Sequence, residues 1–276
     1  MVPKTLKTPL RYPGGKSRAV KRMFQYLPEM SNIKEYREGF VGGGSVALAV
    51  SRIKPDIPIW VNDLYTPLYN FWSVLKDHSE EMHRKLMVIK MDAVSNDNHK
   101  QVFLESKQIL NQNDWSNIDL ACRFYVVNKC SFSGLTESSS FSKSASQNNF
   151  SYKGINNLLL YPELMKNWTI TNCCYSELLC NDPDVFVYLD PPYDIKSMLY
   201  GKRGNMHKGF NHDEFAKNCN SMNSPTMISY NYDKMVTDRF PDWRQENFDH
   251  TYTMRSTGSY SEDQSKRKEL LLLNYE

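Results

Sequence analysis

The sequence predicts an α/β chain in which both ends build a doubly wound, mostly parallel sheet, with a mainly helical insertion between them. Three observations carry this expectation. The segment Glu35–Phe40 and the short apolar runs Ile57–Val61 and Val185–Leu189 lead into glycine, aspartate or proline, as strands do when they feed a loop. Helical spacing follows the first two segments, so strand and helix alternate. A long polar stretch then separates the second segment from the third. The 276 residues suffice for one large domain and a smaller insertion, and no internal repeat divides them.

Taken in order, Arg18–Leu27 is expected to be helical, with Val20, Met23, Phe24 and Leu27 on one face behind the pair Gly14-Gly15. Glu35–Phe40 leads into Gly42-Gly43-Gly44, after which Ser45 is placed to cap a helix carrying Val46, Leu48, Ala49 and Val50. Ile57–Val61 ends at Asn62-Asp63, and Pro67–Leu75 resumes helical spacing through Leu68, Phe71, Trp72 and Leu75. From Asp77 to Tyr125 the pattern is polar and helical, and Val126–Lys153 is rich in serine and asparagine. Strand signals return at Val185–Leu189, Thr226–Tyr230 and Glu269–Leu273. The expected division is therefore 1–76 with 182–276 as one unit and 77–181 as the insertion.

Composition excludes more than it selects. Hydrophobic residues make up 40% and charged residues 24%, ordinary for a globular protein, and no apolar run approaches the ~20 residues that span a bilayer. Met1–Arg11 is basic but lacks the apolar stretch of a secretory signal, which predicts a cytoplasmic location and no membrane partner. The six cysteines form no C-x-x-C pair and have no histidine at metal-ligand spacing, so reduced thiols and no metal are expected. A net charge of +3 permits nucleic-acid binding without arguing for it, although basic residues gather at Lys4–Arg22 and Lys196–Lys208.

The segment richest in chemistry is the strand end Asp190-Pro191-Pro192-Tyr193. In open α/β sheets, ligands bind at the carboxyl edge of the strands. There Asp190 and the Pro191 carbonyl would accept hydrogen bonds from one amino group, while Tyr193 stacks on the ring that carries it. An aromatic amine is a poor nucleophile, and two acceptors that draw its lone pair out of conjugation are what a methyl transfer requires. The plainer alternative for the tetrapeptide is a proline turn with a capping aspartate.

Glu38-Gly39-Phe40-Val41-Gly42-Gly43-Gly44-Ser45 would let backbone pass close to a small ligand, or serve as a flexible connection. Asp63 stands where a carboxylate holds ribose hydroxyls, or caps the next helix. Arg11-Tyr12-Pro13-Gly14-Gly15-Lys16 offers an aromatic ring and an ammonium to the polar end of a cofactor, although Lys16 alone reads as a surface lysine. Glycine loop, acid and Asp-Pro-Pro-Tyr, in that order, suit a nucleoside cofactor meeting a methyl acceptor along one sheet edge.

With these motifs in collinear order, the chain resembles the D12-class, Dam-like adenine DNA methyltransferases. The resemblance runs from Pro9 to Tyr275, with a poorer match between Asp77 and Asn181 except around Asn128–Leu135. It implies a class I S-adenosylmethionine-dependent methyltransferase fold with an inserted target-recognition domain. It also implies that Tyr12, Gly14, Gly15, Lys16, Glu38, Phe40, Gly42, Gly43, Gly44, Ser45, Asp63 and Asp190 bind S-adenosylmethionine, and that Asp190, Pro191, Pro192 and Tyr193 are catalytic. Gly39 stands where the family commonly has proline.

The partner implied is double-stranded DNA, read by a hairpin near 129–155 through Asn128, Lys129, Phe132, Ser133, Gly134, Leu135 and Glu137. Phe132 would wedge into the duplex. The best-known members carry a guanine-reading arginine where this sequence has Glu137, which chemically suits the cytosine amino donor. Lys196–Asn211 reads as a lid over the flipped base, and Ser229-Tyr230-Asn231 as a second wall of the pocket. A cognate restriction endonuclease and a monomeric or weakly dimeric state are compatible with the resemblance. Methylation of the cytosine N4 amine, methylation of a protein glutamine and a non-catalytic DNA-binding role are the alternatives. The adenine reading is favoured over them by the N-terminal motif, by the aspartate that opens the tetrapeptide, and by the intact cofactor positions respectively.

Overall fold

The computed structural model describes residues 6–12, 14–112, 115–132, 139–193, 209–249 and 268–276. Among these, seven strands form one sheet in the order β3-β2-β1-β4-β5-β7-β6: β1 (Glu35–Glu38), β2 (Ile59–Asn62), β3 (Trp168–Thr171), β4 (Val185–Leu189), β5 (Thr226–Asn231), β6 (Arg244–Asp249) and β7 (Lys268–Leu273). The first five are mutually parallel where they pair, and β7 runs antiparallel to both β5 and β6. The mixed α/β architecture is that of a class I methyltransferase fold. From β1 the chain steps outward to β2, and from β4 it steps outward in the opposite direction to β5. The β1/β4 border is thus the topological switch point, where such sheets open a crevice for ligands.

β4 is buried on both faces, as a central parallel strand must be. Its alternate residues serve two cores: Phe186 and Tyr188 point into one, Val185, Val187 and Leu189 into the other. β7 does the same with Leu271 and Leu273 against Leu270 and Leu272.

Two strands were not legible as strands. β3 arises within the stretch where no strand was expected, and it pairs with β2 along its whole length. Trp168 anchors it, buried beside Trp72 and donating to Ser51 at 2.8 Å. The chain has therefore returned to the sheet before residue 182. The second strand, β6, lies at the opposite edge.

The expected helix over Arg18–Leu27 is realised only as α1 (Val20–Met23), flanked by short 3₁₀ turns. The helices α2 (Ser45–Ile53) and α3 (Thr66–Asp77) follow β1 and β2, and the middle of the chain supplies α4 (Ser79–Ser95), α5 (His99–Ile109) and α6 (Asn117–Cys130). α6 lies between α3 and α5 and buries residues around most of its circumference. Phe71 of α3 meets Phe124 and Tyr125 of α6 with ring centroids 5.7 and 6.1 Å apart. One apolar cluster consequently runs from the sheet through α3 into the helical segment, so the helices share the core of the sheet.

The serine-rich stretch is more ordered than its composition suggests. Ser131 and Phe141 form an antiparallel bridge, with Phe132 N donating to Ser140 O and Ser142 N to Cys130 O. This is the base of a hairpin. It is shorter than the expected 129–155, because α7 (Lys143–Asn148) and α8 (Tyr152–Asn157) begin directly after it. The serines explain themselves as N-caps: Ser142 accepts from Ala145 N and Ser151 from Gly154 N.

Candidate active site

At the carboxyl end of β1 the chain turns through the glycine loop. Gly42 and Gly44 have φ of +46° and +67°, a region that L side chains avoid. The loop is clamped from both sides. A Cβ at Gly44 would lie 2.6 Å from the Trp72 ring, while one at Gly42 or Gly43 would lie 3.0 Å from Tyr12. Trp72 also donates to Gly42 O at 3.0 Å. Gly44→Ala combines a backbone penalty with a ring that is itself buried, and is expected to destabilise the fold by about 2–4 kcal/mol; a denaturation midpoint matching wild type would refute the clamp. Ser45 does not cap α2 as expected. Gly44 holds the cap position, and the Ser45 hydroxyl instead lies 2.8 Å from that of Ser17.

Gly39 is tight for a different reason. Its N–H donates to Tyr188 O, and a Cβ there would meet Leu189 at 2.8 Å. Proline would remove that donor and add atoms where there is no room, so glycine suits this packing of β1 on β4.

Two buried carboxylates flank the loop. Glu38, at the end of β1, accepts from Tyr36 Oη at 2.8 Å, and burial with the nearby Asp190 and Asp63 pushes its pKa up to about 8. Asp63 accepts from Gly42 N and from Tyr65 N, both at 3.0 Å, while burial raises it to about 6. Asp63 thus ties the glycine loop to the start of α3. Neighbouring Asn62 is a stitch between strand ends, bonded to Gly39 O, Thr171 Oγ1 and Cys173.

The N-terminal motif folds over this rim. Gly14 has φ +71° and Gly15 N donates back to Tyr12 O, a turn that sends Lys16 inward. Lys16 is 3% exposed, so it is not a surface lysine. Its ammonium reaches Asp190 Oδ1 at 2.8 Å, Tyr193 Oη at 2.5 Å, Gly14 O at 3.1 Å and Glu269 Oε1 at 3.2 Å. Asp190 directly follows β4, and its Oδ1 also accepts from Ser229 at 2.9 Å. Among the described residues no donor reaches Oδ2, and the side chain keeps 21% of its exposure. Burial raises the Asp190 pKa despite Lys16, with Glu269 adding to the rise.

Pro191 is buried and Pro192 partly so. Tyr193 stacks on Tyr230 of β5 with centroids 5.8 Å apart, and Tyr230 Oη bonds His212 Nδ1 at 2.8 Å. Phe40, packed against the same core cluster as Tyr193, stacks on Tyr175 at 5.3 Å and meets Phe210 at 5.8 Å. Ser229 and Tyr230 therefore meet Asp190 and Tyr193 of the tetrapeptide. His212 and Tyr175 were not singled out as site residues, since no motif marks them, and Glu269 was read only as the start of the closing strand.

The residues expected to contact DNA divide. Asn128 is fully buried, and its amide accepts from Arg11 N at 3.0 Å and donates to Arg11 O at 2.7 Å. It joins α6 to the N-terminal motif and presents nothing to a duplex. Lys129 sits over the Tyr125 ring, its pKa pushed down to about 8 by burial and by Arg11. Phe132, at the hairpin base, is 55% exposed. Ser133, Gly134, Leu135 and Glu137 lie outside the described residues, as do Pro13 and the lid residues 196–208.

The donor chemistry of this rim fits S-adenosylmethionine. Glu38, Asp63, Asp190 and Glu269 gather there with one buried ammonium, Lys16, so the ionised rim is negative and favours a cationic ligand. No helix among the described residues is long and apolar enough to cross a membrane.

A family model described as D12 class N6 adenine-specific DNA methyltransferase matches residues 12–261. A type II methyltransferase of Methanocaldococcus jannaschii is 24% identical over 81% of this chain and 83% of its own length. A DNA adenine methylase of Vibrio cholerae serotype O1 is 26% identical over 75% of this chain and 72% of its own. A type II methyltransferase of Lactococcus lactis subsp. cremoris is 23% identical over 96% of this chain and 94% of its own. With its motifs in order along one sheet rim and a family match across nearly its whole length, this chain belongs to the D12 class of N6 adenine-specific DNA methyltransferases.

Proposed function

We propose that the chain methylates the N6 amine of an adenine swung out of a short duplex DNA sequence, with Asp190 Oδ2 and the Pro191 carbonyl receiving the amine. The observation that carries this reading is the asymmetry of Asp190: Oδ1 is held by Lys16 and Ser229, while no donor among the described residues reaches Oδ2. S-adenosylmethionine, when bound, supplies an electrophilic methyl group on sulfonium. Glu38, Asp63, Tyr12 and the glycine loop would hold it. Oδ2 and the Pro191 carbonyl accept the two amine hydrogens, which turns the nitrogen lone pair out of the purine π system and toward the methyl carbon. Tyr193, braced by Tyr230, stacks on the extruded base. The two prolines add no N–H donor that would compete for the acceptors.

The catalytic unit is 1–76 with 182–276 together with β3, and the helical segment from 77 to the start of β3 carries target recognition. Phe132, exposed at the hairpin base, would fill the space an extruded base leaves. Glu137 pairs with a cytosine amino group, giving a recognition sequence other than GATC with an outer C·G pair. Incubating plasmid with the protein and labelled donor, followed by nucleoside mass spectrometry, is expected to show N6-methyladenine. Label in 4-methylcytosine would overturn the assignment. Digestion of the same plasmid with methylation-sensitive nucleases should show protection beyond GATC; protection of GATC sites alone would refute the altered specificity.

A further inference from the structure

β7 runs against the parallel strands, so its first residues lie at the rim where β1, β2, β4 and β5 end. Glu269 is therefore delivered to the reaction site by the closing strand, opposite Asn231 of β5. It is 0% exposed. Oε1 accepts from Tyr193 Oη at 2.9 Å and lies 3.2 Å from Lys16 Nζ. A carboxylate so deeply buried is costly unless charge and hydrogen bonds compensate it, and here both compensating groups belong to the site.

We infer that Glu269 is a positioning residue for methyl transfer: it holds the Lys16 ammonium and the Tyr193 hydroxyl so that Lys16 grips Oδ1 of Asp190 and leaves Oδ2 to the target amine. This rests on the assignment of Asp190 to that amine. Lys16 has three N–H bonds and four oxygens within 3.2 Å. With the carboxylates of Asp190 and Glu269 both in reach, the ammonium is balanced between them and lies against one oxygen of Asp190. Without the charge on Glu269, Asp190 is the carboxylate among the described residues that still holds the ammonium. The ammonium then moves toward the Asp190 carboxylate and competes with the substrate for the second oxygen. Tyr193 loses a charged acceptor at the same time, so both the acceptor and the stacking ring of the target pocket lose their alignment.

Glu269→Gln keeps the shape and removes the charge. Its kcat is expected to fall about 10- to 100-fold, the scale of a misplaced reacting geometry. KM for DNA and the melting temperature should stay near wild type, and turnover is compared at saturating donor because loss of one rim carboxylate weakens binding of a cationic ligand. The discriminating measurement is a double-mutant cycle with Lys16→Gln, read by single-turnover rates. With no ammonium to misplace, the further loss from Glu269→Gln should shrink to about twofold or less. An equal loss in both backgrounds, an effect on KM alone, or unimpaired turnover would each overturn the role. If Glu269→Gln does not fold, Glu269→Asp, which keeps the charge with a shorter reach, enters the same cycle with the same criteria. Asp190→Ala separates the two readings: full activity there defeats the assignment of the amine, whereas loss there with an unimpaired Glu269→Gln defeats Glu269 alone.

Discussion

Asp190→Ala is expected to lose methyl transfer by on the order of 10²–10³-fold, the loss typical when one preorganised polar contact to a reacting group is removed. The fold should survive. Burial raises the Asp190 pKa, which means that its ionised form costs the native state free energy. Lys16 also keeps Glu269 as a carboxylate partner, so the truncation strands no buried ammonium. Asp190→Asn separates shape from charge. It retains one acceptor oxygen but offers an N–H to Lys16 or to the incoming amine, and should be impaired nearly as much. Single-turnover rates with saturating donor and duplex DNA, beside a melting curve and a donor-binding titration, provide the check. A variant that folds, binds donor and turns over at the wild-type rate would remove Asp190 from the chemistry.

What could be read from the residues, and what could not, follows the physics of the sheet. β2, β4, β5 and β7 are interior strands whose apolar runs were visible, whereas interior β1 is Glu-Tyr-Arg-Glu and was read from the glycine loop that follows it. β4 in particular is buried on both faces and reads as Val-Phe-Val-Tyr-Leu. The two strands missed, β3 and β6, are the edges of the sheet. Trp-Thr-Ile-Thr and Arg-Gln-Glu-Asn-Phe-Asp are polar for the reason edge strands generally are, because an apolar edge invites pairing with other chains.

The motifs located Lys16 and Asp190, but their contact joins residues 174 positions apart. Nothing local distinguishes a lysine that folds inward over a glycine turn from one that faces water. Glu269 was read as the start of a strand and not as a site residue for a related reason, since its place at the rim comes from the antiparallel direction of β7 rather than from any residue beside it. Asn128 failed in the opposite sense. The resemblance located it near the hairpin, but the side chain is buried and its amide bonds both the N–H and the carbonyl of Arg11. Its proximity to the recognition segment is architectural.

Glu38→Gln should stabilise the ligand-free protein and weaken donor binding together, and the pH dependence gives the sign of both effects. Glu38 titrates near 4.5 in an unfolded chain and is pushed up to about 8 in the fold, chiefly by burial. The native state therefore binds this proton more tightly. The contribution of Glu38 to stability is fully present below about 4.5 and declines as pH rises through the window to about 8, where it is lost. At roughly 1.4 kcal/mol per unit this amounts to a few kcal/mol. Glutamine has no such titration and still accepts from Tyr36, so the melting temperature at about pH 8 should rise by several degrees, while near pH 4.5 the difference should vanish.

Donor binding runs the other way. A cationic ligand at this rim favours the ionised carboxylate, so below about pH 8 its binding must expel a proton from Glu38. Wild-type affinity should then increase from about pH 6 to 8 and level off above. The variant should bind at least about tenfold more weakly, as loss of a buried charge-assisted contact implies, and with a flatter pH dependence. Calorimetry in buffers of different ionisation enthalpy measures the proton release directly. Donor binding that releases no proton near neutral pH would show that Glu38 is not where the cationic ligand is held.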